Sequence, residues 1–236
     1  MRAIKVVTMK LASGLFALCL LSSIAAAQPG SYPPPPPPPP AYGAPAYGPP
    51  AYGPAPEMPG THTHDGFYLR MFLGLGYTNM ELEDQDASLG GTGGAFGIAL
   101  GAAVSENLIV FAEIFDDIAM SPTFKMGGTE VESNDDISAG VVAVGGGVAY
   151  YFASNMYVSG TLSWGRLAIR DGDEQLGESD FGPGLSLMVG KEWWVSPNWG
   201  LGGALQLYGG RMKDKGDNAP TWSTQAIALA FSATYN

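Results

Sequence analysis

Histidine placement limits the chemistry this chain could perform, because histidine is the commonest general base and metal ligand in proteins. The chain contains two histidines, His62 and His64, whose His-x-His spacing could bind a metal ion. Neither has a cysteine or a further histidine near it in sequence, so a solvated linker is the alternative interpretation. No histidine follows residue 64, which excludes Ser/His/Asp chemistry from the rest of the chain. We therefore expect a protein that is not an enzyme and carries no metal and no cofactor.

Three charged residues occur inside alternating stretches in which charge is otherwise scarce. In these stretches apolar residues alternate with small ones. Arg70, Glu113 and Glu192 occupy positions in the set that otherwise consists of small residues. An isolated buried ion is costly, so charges enclosed at those positions must pair. We predict a buried Arg–Glu cluster inside the domain. It could be a structural plug or the gate of a narrow pore.

The elements that would position these charges are strands, because apolar and small residues alternate with a period of two. The predicted strands are residues 67–78, 95–104, 108–117, 137–152, 156–170, 181–195, 199–212 and 222–235. Their connections alternate between long acidic segments and short turns such as Ser154-Asn155. That alternation is typical of a membrane barrel. The predicted fold class is all-β: an eight-stranded antiparallel transmembrane up-and-down β-barrel.

The two faces of each predicted strand differ in chemistry. One face is apolar and suits lipid, whereas the other consists mainly of Gly, Ala and Ser. An eight-stranded barrel is just wide enough for side chains to fill its interior. Because the inner residues are small, we expect room for water or a few polar groups.

Residues 1–27 are predicted to be a signal peptide. Basic residues precede an apolar stretch over residues 11–24, and small residues precede a cleavage site after Ala27. A membrane anchor is the alternative, but the stretch is short for a span. Cys19, the one cysteine, would be lost on cleavage.

Residues 28–65 are predicted to be a Pro/Tyr/Gly-rich periplasmic linker, and residues 66–236 form the predicted barrel. The linker contains an unbroken proline run at 33–40 and repeated Ala-Tyr-Gly units. Proline fixes φ and lacks a backbone donor, so this segment should be extended and should not join a sheet. It could be a spacer, or it could present its tyrosines to a periplasmic or cell-wall partner.

Acidic residues outnumber basic ones, 22 to 11, which disfavours nucleic-acid binding. They concentrate in the long connections. The acidic residues of these connections are Glu81, Glu83, Asp84, Asp86, Glu130, Glu132, Asp135, Asp136, Asp171, Asp173, Glu174, Glu178 and Asp180, and Asp116 and Asp117 lie beside the second connection. Carboxylates could hold divalent cations; a solvated charged rim is the alternative.

Turn length predicts orientation, since periplasmic turns are short and surface loops are long. Both ends of the barrel and the linker then lie on the periplasmic side. Four bases at the surface end of two strands would point outward at headgroup level: Arg166, Arg170, Arg211 and Lys213. They could contact the phosphates of outer-membrane lipid and lipopolysaccharide, or they could balance the acidic loops.

Residues 66–236 resemble the OmpA-like and OmpX-like families of small outer-membrane barrels. The resemblance is carried by the eight-strand rhythm, by Gly-Lys-Glu-Trp-Trp-Val-Ser from Gly190 and by Ala-Leu-Ala-Phe-Ser-Ala-Thr-Tyr from Ala228. It implies location in the cell outer membrane and recognition of the last strand by the barrel-assembly machinery. Tyr235 would be the terminal aromatic for that recognition, one residue earlier than in the families. A C-terminal peptidoglycan-binding domain, present in full OmpA-type proteins, is not found in this chain.

Two functions remain open from the sequence. The first is a structural or surface-interaction barrel with acidic extracellular loops and a proline-rich tail. The second is a narrow channel for small apolar or other small solutes, resembling the OmpW-like channels. Phe72, Phe111 and Phe115 on the inner phase favour the channel, whereas Arg70 and the two inner glutamates disfavour a continuous apolar path.

Overall fold

The computed structural model describes residues 62–83, 85–133, 136–216 and 219–236. The predicted signal peptide, the linker up to Thr61, and the acidic residues Asp84 and Asp135 lie outside these ranges. Within them, no helix has the length and apolar character needed to cross a membrane.

The described residues form antiparallel strands. These are β1 (Phe67–Leu82), β2 (Ala87–Ser105), β3 (Leu108–Met120), β4 (Thr123–Met126), β5 (Thr129–Glu132), β6 (Ile137–Tyr151), β7 (Met156–Asp171), β8 (Glu174–Glu178), β9 (Gly182–Trp194), β10 (Trp199–Lys213) and β11 (Thr221–Tyr235). The eight long strands each pair with the next, and β1 closes on β11 from Leu69↔Tyr235 to Leu82↔Trp222. The closed barrel confirms the predicted fold class.

The predicted faces of the strands are confirmed by burial. In β1, Tyr68 and Phe72 are buried, whereas Leu73 and Leu75 are 65% and 78% exposed. The other barrel strands alternate in the same way. Since the side-chain period of a strand is two, the correct phase places one set of alternating residues on the lipid-ready outer face and the other set in the interior.

The second strand is longer than predicted. It begins at Ala87 rather than at residue 95, and it pairs with β1 as far as Leu82↔Ala87. Residues 90–94 contain four glycines and therefore suggested a loop. Their pairing with β1 on one side, together with β3 and β4 on the other, overrides the low strand propensity of glycine.

The long connections contain structure that the sequence did not predict. The second one forms the hairpin β4–β5, in which Phe124 lies opposite Val131. This hairpin continues the sheet beyond β3, since β4 pairs with β2. In the third connection, β8 pairs with the end of β7.

Two of the short turns contain asparagine in the left-handed region. Asn107, in the β2–β3 turn, has φ 65°, and Asn155, in the β6–β7 turn, has φ 57°. Asparagine tolerates this region better than most residues because its short side chain can hydrogen-bond locally. The turn residues therefore permit the tight reversals at this end of the barrel, called here the short-turn end.

The interior is filled by aromatic rings. A Cβ added at Gly147 would lie 2.6 Å from the ring of Phe111, and one at Gly190 would lie 2.5 Å from the ring of Tyr157. The inner glycines thus provide the space that these rings occupy. The room that the small inner residues leave is occupied by large rings from other strands and, as expected, by a few polar groups such as Arg70 and Glu113.

Candidate functional site

Arg70 lies on the inner face of β1 and is 1% exposed. Its Nη2 is 3.3 Å from Oε1 of Glu113 on β3, and its Nη1 donates to Oγ of Ser159 at 3.1 Å. The other carboxylate oxygen of Glu113 accepts a hydrogen bond from Thr161 at 2.6 Å. Both charged groups therefore have partners, as a buried ion pair requires.

Three aromatic rings surround the Arg70 guanidinium. Its Cζ lies 5.2 Å from the ring centroids of Phe111 and Tyr157 and 6.0 Å from that of Tyr68. The faces of aromatic rings attract cations, most strongly away from water. We call these three rings the aromatic cage.

Glu192 has a separate set of partners. It accepts hydrogen bonds from Thr234 at 2.6 Å, Ser232 at 3.1 Å and Tyr151 at 3.4 Å. Among the described residues, the ion pair of Arg70 is with Glu113 and does not include Glu192. The structure therefore brings two of the three predicted cluster residues into direct contact and leaves Glu192 to three hydroxyl groups.

A second polar contact lies farther from the short-turn end of the interior. Asp117 is 1% exposed and accepts a hydrogen bond from Nε2 of Gln206 at 3.4 Å. Tyr208 packs edge-on against Phe115 nearby, with 5.3 Å between ring centroids. Asp117 lies in β3 beside the second connection, where its odd position turns it inward, while Asp116 faces outward.

His64 lies across the short-turn end of the barrel. It is 4% exposed, and its ring stacks on Tyr151 at 3.6 Å and lies 5.0 Å from Trp194. Burial lowers the pKa of its imidazole, an effect that the neighbouring Asn236 and Asn155 side chains partly oppose. The interpretation of His64 as part of a solvated linker is therefore wrong.

The four outward bases have different neighbours. Arg166 pairs with Glu178 at 2.8 Å and stacks on Phe181, and Arg211 pairs with Glu83 at 3.0 Å. Arg170 and Lys213 are exposed. Their contact with lipid phosphates stays a prediction.

The acidic connections also contain ion pairs. Lys215 pairs with Glu178 and lowers the pKa of that carboxyl, and Lys125 pairs with Glu130 across the β4–β5 hairpin at 2.6 Å. In the described ranges, no three His, Cys, Asp or Glu side chains group closely enough to hold a metal ion.

Sequence reasoning missed the importance of two buried tyrosines. Tyr151 and Tyr157 flank the Ser154-Asn155 turn, and their rings lie 5.2 Å apart. Both are 0% exposed. The sequence did contain an indication of their placement. Tyr151 and Tyr157 each occupy the next inward-facing position of their strand, beyond the small residues that were predicted to line the interior. What could not be read from the sequence was which rings would contact Arg70 and His64.

The sequence matches no family model and no curated protein at a significant level. Its strand path is similar to that of several solved structures. Neisserial surface protein A is 16% identical, with a TM-score of 0.49, over 72% of this chain and 96% of that one. OprG of Pseudomonas aeruginosa is 10% identical, with a TM-score of 0.41, over 73% and 98%. Ail, the attachment invasion locus protein of Yersinia pestis, is 9% identical, with a TM-score of 0.37, over 71% and 99%.

Proposed function

We propose that this chain is a non-enzymatic barrel of the outer membrane that conducts no solute and has a structural or surface-interaction role. The filled interior carries this proposal: Tyr68, Tyr151 and Tyr157 are 0% exposed, and Arg70 and Phe115 are 1% exposed. A water-filled pore would leave such side chains in contact with water. An eight-stranded barrel is small enough for its own side chains to close it.

The outer face supports insertion into a lipid bilayer. Its exposed apolar residues include Leu73, Leu75, Leu100, Ile114, Val144, Leu162, Leu187, Leu205 and Leu229, which are 43–78% exposed. A continuous exposed apolar surface of this kind needs an apolar partner. Near the short-turn end, Tyr150, Phe152, Trp193 and Trp199 supply the aromatic residues that collect at membrane interfaces.

The direction of insertion follows from the connections. Short turns face the periplasm in outer-membrane barrels, and longer loops face outward. The acidic connections and the β4–β5 hairpin would then lie on the cell surface. The linker, residues 28–65, would lie in the periplasm after a cleaved signal peptide has exported the chain, and could contact the cell wall or a periplasmic partner there.

Two further partners belong to this proposal. The barrel-assembly machinery would recognise the last strand, which ends at Tyr235. Lipid and lipopolysaccharide phosphates would contact the outward bases Arg166, Arg170, Arg211 and Lys213. Because Arg166 pairs with Glu178 and Arg211 with Glu83, lipid phosphates would have to compete with these carboxylates.

The alternative function is a narrow channel for small apolar or other small solutes. A solute crossing this barrel would have to displace the Arg70–Glu113 ion pair and its aromatic cage. Because separating a buried ion pair costs about 3–5 kcal/mol, the described interior disfavours this path.

Conductance of the purified barrel in planar bilayers tests the proposal. We expect no conductance steps from the wild-type protein. The double variant Tyr68→Ala/Tyr157→Ala, which empties part of the lumen, should conduct and so establishes that the assay detects an open barrel. Leu205→Ala, on the lipid face, is the matched control and should remain silent. Reproducible wild-type steps that Ala204→Arg on the inner face abolishes would overturn the proposal.

A further inference from the structure

Residues 62–66 cross the short-turn end of the barrel, and we call them the latch. His62 N donates to the Pro197 carbonyl at 3.0 Å, and Asn107 N donates to the His64 carbonyl at 3.3 Å. Pro197 lies in the β9–β10 turn and Asn107 in the β2–β3 turn. In the closed strand order these two turns lie on opposite sides of the barrel. The latch is therefore attached to both sides of the opening.

The side chains of the latch are held by aromatic stacking. His62 stacks on Trp194 with 5.2 Å between ring centroids, and His64 inserts between Tyr151 and Trp194. The rings of Tyr151 and Tyr157 continue the stack into the barrel. His64 thus joins the latch to the aromatic interior through Tyr151, and its slot between two rings suits a neutral ring.

The surroundings of His64 offer little to a positive charge. Titratable and charged groups on the latch and on the elements packed against it include His62, Asp65, Tyr68, Arg70, Glu106, Tyr151, Tyr157, Lys191 and Glu192. Glu192 already accepts three hydrogen bonds from hydroxyl groups. Burial lowers the pKa of His64 more than the side chains of Asn236 and Asn155, and lastly Asp65, together raise it. A buried imidazolium without a close carboxylate is costly.

We propose that the latch is a pH-responsive closure: protonation of His64 releases residues 62–66 from the short-turn end and uncovers Tyr151. The released imidazole regains its ordinary pKa of 6.5, whereas burial keeps the docked pKa lower. Above that ordinary pKa neither state binds the proton, so docking does not change with pH. Below it, the released state gains the proton first and docking weakens by at most about tenfold per pH unit.

Hydrogen exchange measured by NMR on the purified protein in lipid nanodiscs tests this device. The amide of Asn107 reports on the latch, since its acceptor is the His64 carbonyl. We expect its protection, after division by the intrinsic exchange rate, to be nearly constant from pH 8 to 7.5 and to halve by pH 6.5. It should fall by up to about thirtyfold in all between pH 8 and pH 5.0. The amide of Leu205, within the paired strands β10 and β11, should keep its protection throughout.

Two variants distinguish protonation of His64 from a nonspecific loss of latch stability at low pH. His64→Phe keeps an aromatic ring that cannot be protonated, so the Asn107 amide should stay protected at pH 5.0. His62→Phe should retain the wild-type response. Constant wild-type protection, or an equal loss in His64→Phe, would overturn the proposal. The imidazole proton shifts of His64 in the wild-type protein give an independent check, because a pKa at or above 6.5 would also contradict it.

Discussion

A buried arginine is tolerated in this barrel because several partners share its charge. A carboxylate, a serine hydroxyl and three ring faces surround the Arg70 guanidinium. Arginine suits this site better than lysine, since its planar group can hydrogen-bond at its edge while its faces stack on rings. In the function that we propose, the same arrangement blocks the lumen.

Replacing Arg70 tests how strongly the interior depends on this pair. We expect Arg70→Leu to lower the free energy of unfolding by about 3–5 kcal/mol, because Glu113 is left as an unpaired buried charge. Urea unfolding measures the loss. Adding Glu113→Gln should recover part of it, whereas adding Glu192→Gln should not, because Glu192 is held by hydroxyl groups. If Arg70→Leu alone unfolds like the wild-type protein, the Arg70–Glu113 ion pair contributes little to stability.

Adjacent glycines in β6 test the filling of the interior. The added Cβ of Gly147→Ala would meet the Gly160 carbonyl oxygen at 2.5 Å and the Phe111 ring at 2.6 Å. On the outer face, the added Cβ of Gly146→Ala has its nearest neighbour, the Phe111 carbonyl oxygen, 3.8 Å away. We expect Gly147→Ala to lose about 1–3 kcal/mol through overpacking. Gly146→Ala should lose little. Equal unfolding free energies in the two variants would contradict a tightly filled lumen.

At the scale of the element, each barrel strand separates two environments. Along β10, Leu205 and Leu207 face outward and are 43% and 45% exposed, whereas Ala204 and Tyr208 are 3% and 4% exposed. A charge on the outer face therefore has a cost that depends on its depth in the bilayer.

Two outward positions on β10 test this dependence. Leu205→Arg, near the middle of the strand, should lower stability by roughly 2–4 kcal/mol, whereas an arginine near the interface should cost about 0–1 kcal/mol. Gly209→Arg is the matched variant, since it lies on the same face nearer the surface end and an added Cβ there meets nothing within 4 Å. Folding yield into lipid vesicles measures the difference. If both variants insert equally well, β10 does not face lipid as described.

At the scale of the whole molecule, the barrel has two unlike ends. The short-turn end is closed by the latch and by rings, while the other end contains the β4–β5 hairpin, β8 and most of the exposed acidic residues. In the orientation that we propose, reagents outside the cell reach the end with the hairpin and not the short-turn end.

Protease added to intact cells tests that arrangement. We expect cleavage in residues 83–86, 121–136, 172–181 and 214–220, which connect strands at the hairpin end, with the paired residues of β4, β5 and β8 cut more slowly. Residues 87–91 should resist cleavage because they lie within β2. Mass spectrometry of the released peptides locates the cuts, and disrupted cells provide the control for the opposite end. Cuts at Glu106 or Pro197 in sealed cells would reverse the orientation.

The alternation of residue types predicts the strand type, the eight barrel strands and the face of nearly every side chain. These properties are local, because the period of two follows from the geometry of each strand alone. Local patterning could not determine the start of β2, since glycines at 90–94 gain their strand conformation only from their neighbours. It also could not reveal the β4–β5 hairpin.

Only the tertiary structure decided which inner groups meet. Arg70 and Glu113 share a phase with Glu192, yet the ion pair joins the first two, because cross-strand register and the size of intervening rings set the distances. The match between Gly147 and Phe111 depends on strands separated in sequence. His64 acquires its buried slot from β6, β9 and two turns together. Such contacts depend on the closure of the barrel, which no single segment specifies.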